Sequence, residues 1–200
     1  MQRDFWDQRY AEQGHVYGTR PNAFLVSQQH YFQAGQSVLV IGDGEGRNGV
    51  WLAEQGLQVV SVDQSCVGLQ KAEQLAKARG VELETHCVDL KQWQWPQNRF
   101  DLVVSIFVHF PPDCRETIHH ACLASLKPGG HLIMQAFTPE QLDYPSGGPP
   151  VKEMLFSEGM MRADFAASEI ELLETGVCEL AEGKYHCGQG AVLNLIARKT

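Results

Sequence analysis

Three glycines at alternate positions, in Gly42-Asp43-Gly44-Glu45-Gly46, directly follow the apolar segment Ser37–Ile41. A glycine-rich turn between a strand and a helix leaves backbone N–H groups and the helix N-terminus free to face a ligand, because no side chain obstructs them. Arg47 occupies the sixth position of a G-x-G-x-x-G pattern, and its bulk counts against a dinucleotide pyrophosphate at this turn. The spacing predicts a ligand site where the first strand meets the first helix.

Two further carboxylates stand at the ends of the next two apolar segments. Asp63 comes 21 residues after Gly42, and Asp89 ends the segment that follows. A carboxylate at the first position accepts hydrogen bonds from both hydroxyls of a ribose, and one at the second accepts from an adenine amine. Either acid alone is also a common cap of a following helix or turn. Together with the turn they predict an adenosine pocket, to which Asp43 adds a carboxylate that attracts positive charge.

A histidine, His109, follows the predicted fourth strand in Ser105-Ile106-Phe107-Val108-His109-Phe110. Imidazole titrates near neutral pH, so His109 is a candidate general base at this end of the sheet. The alternative is that His109 packs against the next loop or bonds a backbone carbonyl. A soft, already ionised acceptor would need no base.

Three other side chains could contact an anionic or aromatic group. Arg20 and Arg47 carry guanidinium groups that bind a carboxylate through two parallel hydrogen bonds. Tyr17 could cover a cofactor by aromatic contact. The alternative is that both arginines are solvated surface residues and that Tyr17 only packs against apolar neighbours.

From residue 37 onward, short apolar runs alternate with helical segments, which is typical of a mainly parallel sheet with helices on both faces. Helices are predicted over residues 46–55, 65–79 and 113–126. The last two strands, 169–180 and 189–198, are predicted to form an antiparallel hairpin at the sheet edge. Residues 1–35 are rich in aromatic side chains and are predicted to be a helical lid on a single domain of residues 1–200.

The formal net charge of −8 gives the chain no general basic field, which argues against nucleic acid and anionic lipid as partners. The six cysteines form no C-x-x-C pair, and no apolar run of membrane-spanning length occurs. A cytoplasmic protein with reduced thiols is expected. No metal site is expected either, because the adjacent His119 and His120 point about 100° apart on a helix.

The motifs resemble, in order and spacing, those of the class I S-adenosylmethionine-dependent methyltransferases. They are Gly42-Asp43-Gly44-Glu45-Gly46-Arg47-Asn48, Val62-Asp63, Val88-Asp89-Leu90, Phe100-Asp101-Leu102-Val103-Val104-Ser105 and Leu126-Lys127-Pro128-Gly129-Gly130. Four more segments look like the tellurite-resistance-type subgroup. They are Trp6-Asp7-Gln8-Arg9-Tyr10, Tyr17-Gly18-Thr19-Arg20-Pro21-Asn22, Gly147-Gly148-Pro149-Pro150 and Glu182-Gly183-Lys184-Tyr185-His186-Cys187-Gly188.

The resemblance implies a Rossmann-like α/β sandwich of three layers, with a mostly parallel seven-stranded sheet and a reversed last strand. It also implies S-adenosylmethionine as cofactor, S-adenosylhomocysteine as product, and a small-molecule acceptor such as a thiol or a chalcogen oxyanion (tellurite or selenite). The predicted cofactor-binding residues are Tyr17, Arg20, Gly42, Asp43, Gly44, Gly46, Asn48, Asp63, Gln64, Ser65, Asp89, Leu90, Ser105 and Ile106.

Two alternatives stay open at this point. One is an NAD(P)-dependent oxidoreductase on the same fold, which Arg47, Asp89 and the terminal hairpin disfavour. The other is a non-catalytic protein that binds S-adenosylmethionine. The sequence leaves the acceptor atom and the oligomeric state undetermined.

Overall fold

A computed structural model describes residues 2–200, with the side chain of residue 2 left out. The helices are α1 (Gln2–Tyr10), α2 (Ala23–Ser27), α3 (Arg47–Glu54), α4 (Cys66–Arg79), α5 (Pro112–Ser125) and α6 (Glu158–Asp164). The strands are β1 (Ser37–Ile41), β2 (Gln58–Asp63), β3 (Glu84–Cys87), β4 (Phe100–Ile106), β5 (Leu126–Phe137), β6 (Ser168–Ala181) and β7 (Cys187–Lys199). Short 3-10 helices span Gln29–Tyr31, Pro139–Asp143 and Lys152–Met154.

The strands form a seven-stranded sheet in the order β3-β2-β1-β4-β5-β7-β6. Strands β1 and β2, β2 and β3, and β4 and β5 pair in parallel, whereas β7 runs antiparallel to both β5 and β6. Strands β1, β2 and β4 are almost wholly buried, as parallel strands covered on both faces must be. The predicted fold class, including the reversed last strand, is confirmed.

The chain forms two compact units, one of residues up to 93 with 182–185 and the other of residues 94–181 with 186–200. The described N-terminal residues 2–35 belong to the first unit. The prediction that they act as a lid on one domain stays a prediction.

In the first unit, α3 and α4 start close to each other and so fix the turn between β1 and α3. Gly46 precedes α3 with a left-handed φ of 86°, and a Cβ there would lie 2.5 Å from the Cβ of Ala72 in α4. Helix α4 begins at the N-cap Ser65, whose Oγ accepts a hydrogen bond from the Gly68 N–H, and ends at Gly80. Only glycine permits both the backbone conformation and the close approach at position 46.

In the second unit, a buried carboxylate joins α5 to the end of α6. Asp164 accepts two hydrogen bonds from Arg115, at 2.7 and 3.1 Å, and one from Nδ1 of His119 at 2.7 Å. Burial alone would raise the pKa of Asp164, but the bonds from His119 and Arg115 outweigh it and lower the pKa to about 2. His120 points to solvent instead, as the helical geometry predicts.

The motif Lys127-Pro128-Gly129-Gly130 lies within β5, with an irregular register opposite the start of β4. Cys66 and Cys87 form a disulfide, so the expectation of unpaired, reduced thiols is wrong for this pair. Within residues 2–200, none of the helices combines the length and apolar character that crossing a bilayer requires.

Candidate functional site

The glycine turn has the conformation that its composition predicts. Gly42, Gly44 and Gly46 all have left-handed φ values, of 59°, 56° and 86°. A side chain at position 44 would collide with the hydroxyl of Tyr10 in α1. The turn therefore requires glycine both for its backbone and for the close packing of α1 against it.

The Asp63 carboxylate lies at the end of β2, directly beside this turn. Its two oxygens accept hydrogen bonds from the N–H groups of Gly44, at 2.9 Å, and Ser65, at 2.8 Å. Burial raises the pKa of Asp63 to about 6, although these backbone bonds act in the opposite direction. A carboxylate can accept about four hydrogen bonds, so each oxygen keeps capacity for one more donor.

The Asp43 carboxylate points into the protein and stabilises the turn from behind. It accepts hydrogen bonds from the N–H of Gly49, at 3.1 Å, and from the hydroxyl of Ser61 on β2. Burial raises the pKa of Asp43 above its usual value, and these hydrogen bonds offset only part of the rise. These contacts give Asp43 a structural role behind the turn, and its attraction of a positively charged cofactor group stays a prediction.

Glu45 holds the N-terminal segment over the turn. Its buried carboxylate accepts hydrogen bonds from the N–H groups of Val16, at 2.7 Å, and Tyr17, at 3.4 Å, and pairs with Lys71 at 2.9 Å. Lys71 also donates to backbone carbonyls of the segment, at Glu12 and Gly14. The contacts of Glu45 and Lys71 thus hold residues 12–17 against the glycine turn.

A second buried charge pair fixes the segment at its other end. Arg47 donates to Glu182 at 2.7 Å, with both side chains more than nine-tenths buried. Asn22 donates to the other oxygen of Glu182 at 2.7 Å, while its backbone N–H donates to Asn48. Arg47 and Asn48, which the sequence offered as ligand-binding residues, therefore use their side chains to anchor the protein's own chain.

Of the remaining predicted site residues in the first unit, two bond to side chains of α1 and the others are half-buried or exposed. Ser65 caps α4 and donates to Asp7 of α1, and Tyr17 accepts a hydrogen bond from Arg9 inside an aromatic cluster. Gln64 and Leu90 are half-buried in the loops after β2 and β3, and Asp89 and Arg20 are exposed.

Strands β2 and β3 pair directly, which places Asp89, just after β3, next to Asp63 at the end of β2. The Val88 N–H donates to the Asp63 carbonyl at 2.8 Å, and the Asp89 carboxylate accepts from the Lys91 N–H at 2.9 Å. Asp89 caps its own turn through one carboxylate oxygen, as the competing explanation held. Of the predicted set, the glycine turn, Asp63 and Asp89 are brought together, whereas Arg20 is not tied to them.

Ser105, Ile106 and His109 lie in the second unit. Ser105 and Ile106 are buried at the end of β4, opposite Met134 and Gln135 of β5. Phe107 follows with a left-handed φ of 56°, which is rare for a large side chain. Its ring stacks on Phe137, with the ring centroids 4.4 Å apart.

His109 uses both ring nitrogens to bind the backbone. Nε2 accepts a hydrogen bond from the Phe137 N–H at 3.1 Å, so Nδ1 carries the proton and donates to the Met154 carbonyl at 2.8 Å. Burial lowers the pKa of His109 to about 4. The hypothesis that His109 is a general base does not agree with this geometry, because taking up a proton would break the bond to Phe137.

Sequence reasoning missed several residues that shape the site, namely Asp7, Tyr10, Gly49, Lys71 and Glu182. Asp7, Tyr10 and Glu182 stand in segments that carry the family resemblance, and Gly49 is a fourth glycine close behind the turn. No three side chains of the metal-binding types converge within residues 2–200.

In the first unit this arrangement offers a buried acceptor, Asp63, and an exposed acceptor, Asp89, at neighbouring strand ends beside a glycine-rich turn. Such a set suits a ligand with a ribose and an adenine. Residues 38–130 match a family model described as a methyltransferase domain.

Two curated relatives match parts of the chain. One is the ubiquinone biosynthesis O-methyltransferase of Alkalilimnicola ehrlichii, 29% identical over 112 residues that cover 55% of this chain and 45% of the relative. The other is the 2-heptyl-1-hydroxyquinolin-4(1H)-one methyltransferase of Mycobacteroides abscessus, 27% identical over 127 residues, 59% of this chain and 56% of the relative. The chain thus spans about half the length of these relatives.

Solved structures with similar folds cover nearly the whole chain. A protein studied for the conversion of a disulfide bond into a thioacetal group during echinomycin biosynthesis aligns over 100% of this chain and 92% of its own, with a TM-score of 0.78 and 18% identity. The N-methyltransferase NodS of Bradyrhizobium japonicum WM9, in complex with S-adenosylhomocysteine, aligns over 98% and 97%, with a TM-score of 0.75 and 17% identity. TehB of Haemophilus influenzae aligns over 99% and 67%, with a TM-score of 0.74 and 18% identity.

Residues 38–130 thus match a methyltransferase domain, and both curated relatives are methyltransferases. The predicted enzyme class and cofactor are in keeping with these matches. The likeness to the solved structures supports the fold alone, and the tellurite-resistance subgroup stays a prediction from the sequence motifs.

Replacing Gly49 by alanine tests the packing of Asp43 behind the turn. In a helix this change normally stabilises by about 0.5–1 kcal/mol, but at position 49 the new Cβ would collide with the Asp43 carboxylate. We expect Gly49→Ala to lower the free energy of unfolding by about 1–3 kcal/mol, measured in urea. Gly159→Ala, in α6 with open space around it, is the matched control and should stabilise. If both variants stabilise, the position of Asp43 described above is wrong.

Replacing His109 by glutamine tests its fixed neutral state. The pKa of His109 is about 4 in the folded protein and about 6.5 unfolded. The contribution of neutral His109 to the free energy of unfolding is therefore complete above pH 6.5 and is lost as the pH falls toward about 4. We expect the stability difference between wild type and His109→Gln to shrink by about 2 kcal/mol from pH 7.5 to 4.5. The exposed His30, replaced in the same way, is the control; a constant difference would contradict the structure.

Proposed function

We propose that the protein transfers a methyl group from S-adenosylmethionine to a small-molecule acceptor. The observation that carries this proposal is the Asp63 carboxylate, buried at the end of β2 and bonded to the Gly44 N–H of the glycine turn. A carboxylate whose pKa burial has raised to about 6 gains from further donors. The two hydroxyls of a ribose are donors that its remaining acceptor positions can take.

The other contacts follow from the neighbouring loops. The second carboxylate oxygen of Asp89 would accept from the adenine amine, and the backbone of the glycine turn would face the amino acid end. Gln64, Ser65 and Leu90 would line the adenosine through their loops, and Tyr17, Arg20, Ser105 and Ile106 stay proposed contacts. The bound cofactor supplies an electrophilic methyl group, so the protein has to align the acceptor and exclude water.

For the acceptor we favour a thiol or a chalcogen oxyanion such as tellurite or selenite. His109, the base candidate from the sequence, already binds two backbone groups and has a pKa of about 4. An acceptor that is nucleophilic without deprotonation by the protein fits that arrangement.

An aromatic hydroxyl is the second candidate. Phe107, held at a φ of 56°, presents a half-buried ring stacked on Phe137 at the end of β4. A flat ring of this kind suits a planar acceptor. Both curated relatives are methyltransferases whose names refer to ubiquinone biosynthesis and to a hydroxyquinolinone. The expected absence of a nucleic acid partner and the cytoplasmic location stay predictions from the sequence.

Binding of S-adenosylhomocysteine tests the cofactor site. If its ribose hydroxyls donate to ionised Asp63, binding lowers the pKa of that carboxyl, and affinity must rise with pH through about 6. We expect calorimetry to give about tenfold tighter binding at pH 7.5 than at pH 5. Asp63→Asn should weaken binding at pH 7.5 by about tenfold to a hundredfold and abolish this pH dependence.

The exposed Asp143, replaced by asparagine, is the control for loss of a negative charge, and its affinity should match wild type. Unchanged affinity in Asp63→Asn would show that the ribose lies elsewhere. Binding of NAD(H) and not of S-adenosylhomocysteine would make the protein an oxidoreductase instead.

Transfer of labelled methyl from S-adenosylmethionine identifies the acceptor class. We expect label to appear on thiols, selenite or tellurite, extracted as methylated products and measured by scintillation counting. Label on phenols or hydroxyquinolines alone would favour the aromatic candidate. Binding of the cofactor without transfer to any of these, or to amines or carboxylates, would favour the non-catalytic reading.

A further inference from the structure

A disulfide joins two elements that border the proposed cofactor site. Cys66 is the first residue of α4 and Cys87 the last residue of β3, 21 residues apart in sequence and 5.2 Å apart between Cα atoms. Cys87 is exposed and Cys66 half-buried. Solvent and small reagents can therefore reach the bond, unlike the buried thiols of Cys114 and Cys122.

A cation lies against both sulfur atoms. Nη2 of Arg3, in α1, is 2.9 Å from Sγ of Cys66 and 3.5 Å from Sγ of Cys87. A guanidinium group and a helix N-terminus both stabilise a thiolate, and Cys66 has both. Of the two cysteines, Cys66 is thus the better leaving group.

The disulfide is adjacent to the residues that would hold adenosine. Cys87 pairs directly with Asp63 across β2 and β3, and Cys66 follows Ser65, whose N–H donates to the Asp63 carboxylate. Asp89 comes two residues after Cys87. The same corner is linked to α1, because Arg3 pairs with Asp7 and Asp7 accepts from the Ser65 hydroxyl.

We propose that Cys66 and Cys87 form a thiol–disulfide exchange site for low-molecular-mass thiols, and that its oxidation state sets the affinity for the cofactor. The effect on affinity rests on the function proposed above, whereas the exchange itself does not.

The exchange proceeds in two displacements. A thiolate attacks Sγ of the exposed Cys87, the bond between the two cysteines breaks, and Cys66 leaves as a thiolate beside Arg3. A second thiol then attacks the mixed disulfide and releases Cys87 and a small-molecule disulfide. Two thiols are oxidised to one disulfide, and their two protons end on the cysteines.

The bond favours cofactor binding because it holds the loop between β2 and α4 in its binding conformation. With the bond intact, the start of α4 is fixed to β3, and the Ser65 N–H stays directed at Asp63. Reduction frees this corner, so binding must then restore its order. The oxidised protein is the tighter binder.

Thiol counting tests the exchange without any cofactor. Alkylation of the denatured, oxidised chain should modify four of the six cysteines, and alkylation after treatment with reduced glutathione should modify all six. Amide hydrogen exchange, measured on the ligand-free protein, should become faster in residues 63–68 on reduction. Six reactive thiols before reduction, or unchanged amide exchange in this segment, would overturn the proposal.

Calorimetry with S-adenosylhomocysteine tests the effect on affinity. We expect the reduced wild type to bind about threefold to tenfold more weakly than the oxidised form. Cys87→Ser should bind as weakly in both conditions, whereas Cys187→Ser, a change at an exposed free cysteine, should keep the wild-type response. Equal affinity of the oxidised and reduced wild type would overturn the proposal that the disulfide sets cofactor affinity. If neither form binds S-adenosylhomocysteine, the proposed function is wrong, and the thiol counts alone decide whether the exchange occurs.

The rate of reduction tests Arg3. Arg3→Gln removes the cation beside the sulfurs, so glutathione should reduce the bond several-fold more slowly at pH 7. Arg79→Gln, at a half-exposed arginine paired with Glu54, is the control. An unchanged rate in Arg3→Gln would show that Cys66 does not leave as a thiolate stabilised by that guanidinium group.

Discussion

A carboxylate at the end of β2 is removed from water and bound by two backbone N–H groups. Those groups belong to Gly44 in the turn before α3 and to Ser65 at the start of α4, so Asp63 joins the two loops. The bonds do not fully offset burial, because the pKa of the carboxyl is still raised to about 6. The protein's own backbone thus positions this carboxylate, and its two oxygens keep acceptor capacity for further donors.

The N-terminal segment is held over this corner mainly by buried charge. Glu45 binds two backbone N–H groups and Lys71, and Glu182 binds Arg47 and Asn22. Buried ion pairs contribute little net stability, because desolvation opposes the Coulombic attraction. Their directional bonds instead define one position of the segment. A chain held in this way lets Tyr10 reach the glycine turn at a fixed place.

Local patterns predicted the elements and the turn, but not the partners of the charged residues. The glycine spacing and the apolar run before it depend on neighbouring residues only, so the strand, the turn and α3 followed from sequence. The direction of Asp43 depended on Ser61 in another strand, and Glu45 found its partner 29 residues away at Val16. The disulfide of Cys66 and Cys87 needs the parallel pairing of β2 and β3, which no cysteine spacing encodes.

The end of β4 shows the same dependence on tertiary structure. His109 has the residue type and position of a base, yet the Phe137 N–H on the adjacent strand end and the Met154 carbonyl take both nitrogens. Phe107 adopts a φ of 56° just before it, a conformation that costs on the order of 1–3 kcal/mol for such a residue and persists only where surrounding contacts impose it. Its N–H donates to the Gln135 carbonyl at 2.7 Å, and its ring stacks on Phe137. The surrounding contacts thus hold Phe107 in a strained conformation that keeps its ring stacked on Phe137, and they bind both nitrogens of His109 to the backbone.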